Sequence, residues 1–174
     1  MAWEIDPVHS DAHFSVRHAM VSNVRGQFKV LSGKLEIDEQ QPENSSVEAQ
    51  VETSSVDTRN EQRDGHLRSA DFFDAEKYPV ISFKSTKVES KGGENYRVLG
   101  LLSLHGIEKE VEFNAEYAGQ GKDPWGGTRA GLTAVTTINR KDFGLTYNTA
   151  LETGGVLVSD AVKVEINLSA VYKG

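Results

Sequence analysis

From Val47 to Ser55 the chain alternates without a break: Val47, Ala49, Val51, Thr53 and Ser55 fall on one side, and Glu48, Gln50 and Glu52 on the other. A period of two belongs to an extended strand, whose successive side chains point to opposite faces; a helix would need a period near 3.6. The pattern recurs along most of the chain. Between Ala12 and Met20, Phe14 and Val16 lie opposite Ser15 and Arg17. Val24, Phe28 and Val30 continue it, and Gly33 interrupts it before Leu35 and Ile37, as in a long strand that bends or bulges. Further faces are formed by Ile81 and Phe83, by Tyr96, Val98, Gly100, Leu102 and Leu104, and by Val111, Phe113, Ala115 and Tyr117. The last two run from Ala130 through Leu132, Ala134 and Thr136 to Ile138, and from Val162 through Val164, Ile166, Leu168 and Ala170 to Tyr172.

Short turns such as Lys91-Gly92-Gly93 and His105-Gly106 join these segments, which predicts an antiparallel meander. Long strands sharing one apolar face close into a barrel or pair as a sandwich. A strand count near eight and the absence of long crossovers predict an all-β barrel, a closure that also removes exposed edges. One stretch departs from the pattern. Thr58 to Pro79, TRNEQRDGHLRSADFFDAEKYP, carries charge, a Phe pair and a closing Tyr-Pro, and it reads as a short helix followed by a turn. Such an insert serves a barrel as a lid, plug or seal at one end. Phe72 and Phe73 are its natural anchors on an apolar surface.

With 174 residues and no compositional break, the chain is expected to be one domain over residues 1–174, long enough for a sizeable core. A formal net charge of -7 without any Lys/Arg run argues against nucleic acid and against an anionic membrane surface as partner. The absence of cysteine excludes disulfides, thiolate chemistry and Cys-based metal sites. The opening MAWEIDPVHSD has no basic or apolar leader region, and no run is long enough for a membrane span. A cytoplasmic location without stable membrane insertion is expected, or a periplasmic one if a leader has been removed.

Catalytic patterns are sparse. His9-Ser10-Asp11 has the residue types of a triad, but neighbours on an extended chain face opposite ways. His9, His13 and His18 are too far apart along a strand to share a metal, and Asp71, Asp74 and Glu76 lack the spacing of a calcium loop. Gly119 and Gly121 are followed by Pro124, not by the glycine of a dinucleotide loop. Arg63, Asp64 and His66 read as a network fastening the insert to the barrel rim. No catalytic residue, metal or cofactor is expected.

The inward list mixes small residues (Ala49, Thr53, Ser55, Gly100, Ala115, Ala130, Ala134, Thr136 and Ala170) with large ones (Phe14, Phe28, Phe83 and Phe113). A barrel of about eight strands either fills with its side chains or holds one small ligand. Alternation shows burial, not emptiness, so an open tunnel and an interdigitated core fit the list equally well. Leu99 and Leu101 make one strand apolar on both faces, to be covered by the insert or by a second copy in a homodimer.

The segments WEIDPVHSDAHFSVRH, VRGQF, RDGHLRSADFFDAEKYPVISFKS, LSLHGIEKEV and INRKDFGL, in this order over nearly the whole chain, resemble the successive signatures of the YceI-like family, similar to bacterial polyisoprenoid-binding proteins. Ser103 stands where a threonine is usual, and some members carry a secretion signal that this chain does not show. The resemblance implies an extended eight-stranded antiparallel β-barrel of lipocalin type with a long apolar pore for a polyisoprenoid or related fatty lipid. It supplies no catalytic residues. On that reading Phe14, Val16, Phe28, Val30, Val51, Phe83, Leu102, Leu132 and Ile138 line the pore. Gly100 and Ala134 are the inward positions where a Trp would block it, and His18, Arg140 or Trp125 meets a polar head. Carriage, storage or sequestration of the lipid is then the expected role. The alternatives are an enzyme acting on a lipid, with His66 and Asp64 as acid and base, and an interaction module that uses Leu99 and Leu101.

Overall fold

Alternation becomes strand over most of the chain. The computed structural model describes residues 2–19, 21–148 and 158–173. It contains β1 (Ala2–Ile5), β2 (Asp11–His18), β3 (Ser22–Phe28), β4 (Leu31–Glu36), β5 (Ser46–Glu52), β6 (Val56–Asp57), β7 (Val80–Gly92), β8 (Asn95–Leu104), β9 (Ile107–Lys122), β10 (Thr128–Asn139) and β11 (Ala161–Tyr172), with one α-helix, α1 (Glu61–Arg68). Met20, the expected end of the strand beginning at Ala12, lies outside the described residues. Among the described residues no helix is long and apolar enough to cross a membrane.

The short strands are halves of longer ones. β1 and β2 lie in line along β11, pairing Ile5 with Ala170 and His13 with Glu165. β3 and β4 follow them as partners of β2 and β1, and β6 and β5 pair in turn with β3 and β4. Counted this way, eight antiparallel strands close in sequence order, with β11 returning to β1. This is the meander that the short turns require, and closure pairs β11 with β1 and β2.

Breaks in the alternation bend these long strands. Phe28 and Leu31 both face the interior, so the phase slips at Lys29-Val30 rather than at Gly33. The slip is held by Val30 N donating to Ser55 Oγ at 3.1 Å and by Glu52 N donating to Val30 O at 3.1 Å. Val30 is therefore 44 % exposed and does not line the pore, which corrects the expectation from simple alternation. Gly33 is instead a close-approach site, where a Cβ would strike the Glu48 carbonyl and the Ile5 side chain. A second slip, between Ser85 and Lys87 in β7, puts Phe83 and Val88 on the same inner face. Thr53 to Ser55 form a turn of 3₁₀ helix instead of continuing β5. Buried Thr53 donates its hydroxyl to Tyr78 O at 2.8 Å, and its N–H to Pro79 O at 3.0 Å.

The insert between β6 and β7 sits where the wall parts, because β6 pairs with β3 and makes no ladder with β7. Asn60 caps α1 by accepting from Arg63 N at 3.0 Å. At the same end, the tight turn between β8 and β9 has His105 and Gly106 both at positive φ, 57° and 76°. The Tyr78 ring lies on Gly106, where a side chain would have no room. The outward Leu99 and Leu101 are only partly exposed: Lys87 and Glu112 flank Leu99, and Lys84 and Glu110 flank Leu101 across the sheet. Long charged side chains lay their methylene stems over apolar neighbours in this way.

Candidate functional site: two chambers and a waist

Among the described residues the inner faces line a cavity towards each end of the barrel. The chamber at the insert end measures about 170 Å³. β2 and β3 supply Phe14, Val16 and Phe28; the opposite wall supplies Phe83, Leu102, Phe113 and Ile138; and Val51, Ile81, Leu104, Val164 and Ile166 complete it. The insert adds Leu67, Phe72 and Phe73. Phe73 packs edge-on against Phe28 at 5.5 Å and Phe14 at 6.4 Å between ring centroids, so the two expected anchor rings form part of the chamber wall. Phe14 folds over its cross-strand partner Gly26, whose missing side chain leaves room for the ring.

The far chamber measures about 140 Å³ and is walled by Leu35, Val47, Val88, Tyr96, Val98, Ala115, Tyr117, Ala130 and Leu132. Its rim is different in kind: Glu36, Asp38, Glu39, Ser45 and Ser46 stand around it with Ile37 and Pro42. Burial pushes the Tyr117 hydroxyl above its ordinary pKa.

Between the chambers the barrel is filled. On β8, Val98 faces the far chamber and Leu102 the near one, with Gly100 between them; on β10, Leu132 and Thr136 flank Ala134 in the same way. The space that Gly100 leaves is taken by the Phe83 ring, whose Cζ lies 2.6 Å from where a Cβ would stand. Phe83 in turn meets Phe113 edge-on at 5.0 Å. Ala134 is buried in the cluster that contains both rings, and Ile5 and Leu168 are buried in the cluster that faces it. Small and large residues interdigitate at this waist, while space remains on either side of it.

Among the expected pore residues, Phe14, Val16, Phe28, Val51, Phe83, Leu102 and Ile138 lie on the insert-end chamber and Leu132 on the far one. Gly100 and Ala134 lie at the waist and Val30 outside the lumen. His18 ends β2, bridges Val158 through its backbone and lines neither chamber. Trp125, 82 % exposed, sits at the tip of the β9–β10 hairpin. Arg140 borders the insert-end chamber, but its guanidinium is spent on main chain. Nε donates to Ser159 O at 2.9 Å, Nη1 to Leu145 O and Tyr147 O at 2.6 and 2.9 Å, and Nη2 to Val158 O at 3.3 Å. Burial pulls its pKa below the ordinary value, and the geometry is that of a clasp holding the chain that follows β10. Alternation in β11 signalled Val164 and Ile166, but nothing in the sequence signalled the division of the lumen.

The polar residues of the insert are likewise taken up locally. Asp64 is buried, and its Oδ1 accepts from Thr58 N at 2.8 Å and Thr58 Oγ1 at 2.6 Å, while Arg63 donates to Thr58 Oγ1 and O, both at 2.8 Å. His66 pairs instead with Asp71 at 2.8 Å, so Asp64 and His66 engage different partners. Nor do His9, Ser10 and Asp11 converge. His9 meets Asp6 at 2.8 Å, Ser10 Oγ donates to Ser169 O at 3.1 Å, and Asp11 meets His13 at 3.1 Å. Arg129 joins Asp6 (2.7 Å) to Asp123 (3.0 Å), and its hydrogen bond with that of His9 holds the Asp6 carboxyl well below the usual carboxylate range. Among the described residues no group of His, Asp and Glu stands close enough to hold a metal ion.

The sequence matches the family model of the YceI-like domain over residues 3–170. A UPF0312 protein of Vibrio cholerae is 40% identical over 165 residues, covering 95% of this chain and 83% of the relative. Among solved structures, Burkholderia cenocepacia BcnA superposes with a TM-score of 0.84 at 23% identity, covering 95% of this chain and 98% of that one. A polyisoprenoid binding domain from Saccharophagus degradans, implicated in plant cell wall breakdown, superposes with a TM-score of 0.71 at 16% identity, covering 98% of both chains.

Proposed function

This chain belongs to the YceI-like family, and on that premise we propose that its lumen binds a long-chain isoprenoid or related apolar-chain amphiphile, for carriage, storage or sequestration rather than chemistry. The observation that carries the reading is the insert-end chamber. Its wall is aliphatic and aromatic throughout apart from a few uncharged polar positions and Arg140, whose donors face main-chain carbonyls. Such a wall offers nothing to a charged substrate and much to a hydrocarbon. The Saccharophagus degradans structure, a polyisoprenoid binding domain of the same fold, supports the same ligand class.

Magnitudes favour a long chain. An apolar cavity near 150 Å³ takes a ring of about six carbons, so each chamber suits roughly that much hydrocarbon. At about 0.8 kcal/mol per methylene, one filled chamber contributes roughly 5 kcal/mol. That is comparable with the low end of the association cost, about 4 to 15 kcal/mol. Filling both doubles the gain, so chains that reach through both chambers are the ones that bind well. Isothermal titration of delipidated protein with geranylgeraniol is expected to give binding at about tens of micromolar, with a large negative heat-capacity change. No heat and no retention at any accessible concentration would refute the reading.

A further inference from the structure

The two chambers belong to one lumen, and at the waist between them the Phe83 ring sits on Gly100. Phe83 stands in β7 just before the Ser85–Lys87 slip, where a bulge can re-aim neighbouring side chains. Its ring rests on Gly100 and against Phe113. On the far side of the same slip, Val88 belongs to the other chamber, so the boundary runs through the bulge itself. With about 170 Å³ on one side and about 140 Å³ on the other, neither chamber alone accepts more than a short stretch of chain.

Resting on the functional reading above, we propose that Phe83 is the chain-length determinant of this barrel. A chain that ends within one chamber stops at the ring. A chain that continues must lift Phe83 from Gly100, and it regains binding only once it occupies the space beyond. Phe113 supports the closed position as the edge-on partner, and Gly100 provides the seat, since any side chain there would meet both the ring and the Lys84 carbonyl. Phe83 acts as a specificity residue that measures the tail, independent of the head.

The test is a ladder of prenyl alcohols, prenol, geraniol, farnesol and geranylgeraniol, titrated into delipidated wild-type protein, Phe83→Ala and the milder Phe83→Leu, with circular dichroism melting confirming that each variant is folded. For wild type, affinity is expected to change by less than about threefold from prenol to geraniol, and then to rise at farnesol, whose chain is long enough to fill both chambers. Phe83→Ala is expected to remove the step, gaining about tenfold or more with each added isoprene unit. Phe83→Leu should lie between them, and it decides the matter if the alanine variant does not fold. A wild-type ladder that rises smoothly and coincides with that of either folded variant overturns the proposal while leaving lipid binding intact. Failure of wild type to bind any of the alcohols overturns the functional reading and the length determinant with it.

Discussion

The two chambers are close in size and share the walls of β4, β5 and β7 to β10, yet they are finished differently. The insert end is closed in by rings: Phe14, Phe28 and Phe73 interlock, and Phe72 and Leu67 add further apolar wall. The far end is finished by carboxylates and serines of residues 36–46 and by two tyrosines. One is suited to the end of a tail, the other to the point where a tail meets something polar. The acidic rim also disfavours a phosphate or carboxylate head, because like charges repel at close range. The fold sets this polarity by placing the α1 insert at one end and a short acidic loop at the other.

Detaching the insert should affect one chamber and spare the other. Asp64→Ala removes the carboxylate that accepts both Thr58 donors, leaving a buried N–H and hydroxyl without it. A loss of about 2–4 kcal/mol is expected in urea unfolding, together with weaker retention of long chains. Unchanged stability would mean that the insert is not fastened where the structure puts it. Phe73→Ala is a narrower probe. Stripping one ring from the aromatic cluster should cost about 2–3 kcal/mol and loosen tail binding at the insert end. A conservative change at the far chamber, Leu132→Met, should stay within about 1 kcal/mol.

Asp6 provides a control away from both cavities. Asp6→Asn should cost about 1 kcal/mol at neutral pH without altering ligand affinity. Because the fold depresses the pKa of this carboxyl, its contribution is present above the ordinary value near 4 and is lost as the pH falls towards the folded-state value. The gap between wild type and variant should therefore shrink on acidification. A gap that widens in acid would reverse the assignment. A ligand-dependent effect is expected at the far wall. Tyr117→Phe should weaken an alcohol- or carbonyl-headed ligand by about 0.5–1.5 kcal/mol and leave a plain hydrocarbon unaffected; equal effects on both would remove the head from that end.

Much of the barrel was legible because alternation is a direct consequence of a half-buried strand, as Val47, Ala49 and Val51 show, and because short turns leave few topologies. The insert was legible because it broke the period, and Phe72 and Phe73 are where their size suggested. Val30 was misplaced because a phase slip costs one residue and leaves no mark in composition. The waist was hidden for a different reason. Gly100 and Ala134 look like room, but a neighbour decides whether room stays empty, and Phe83 is a neighbour only across β7 and β8. The polar signature residues are spent on fastening: Asp64 on Thr58, Arg140 on carbonyls, and His105 on the main chain of Phe143, 3.1 Å away. They identify the family strongly while touching the lumen little.

The central claim is that the lumen is a container for a long apolar chain. Native mass spectrometry of protein purified without detergent, followed by organic extraction and identification of what is released, tests it most directly. The account predicts one long-chain lipid per protein chain, displaced by geranylgeraniol. Protein that is empty as isolated, and that stays empty when incubated with long-chain isoprenoids, would contradict it.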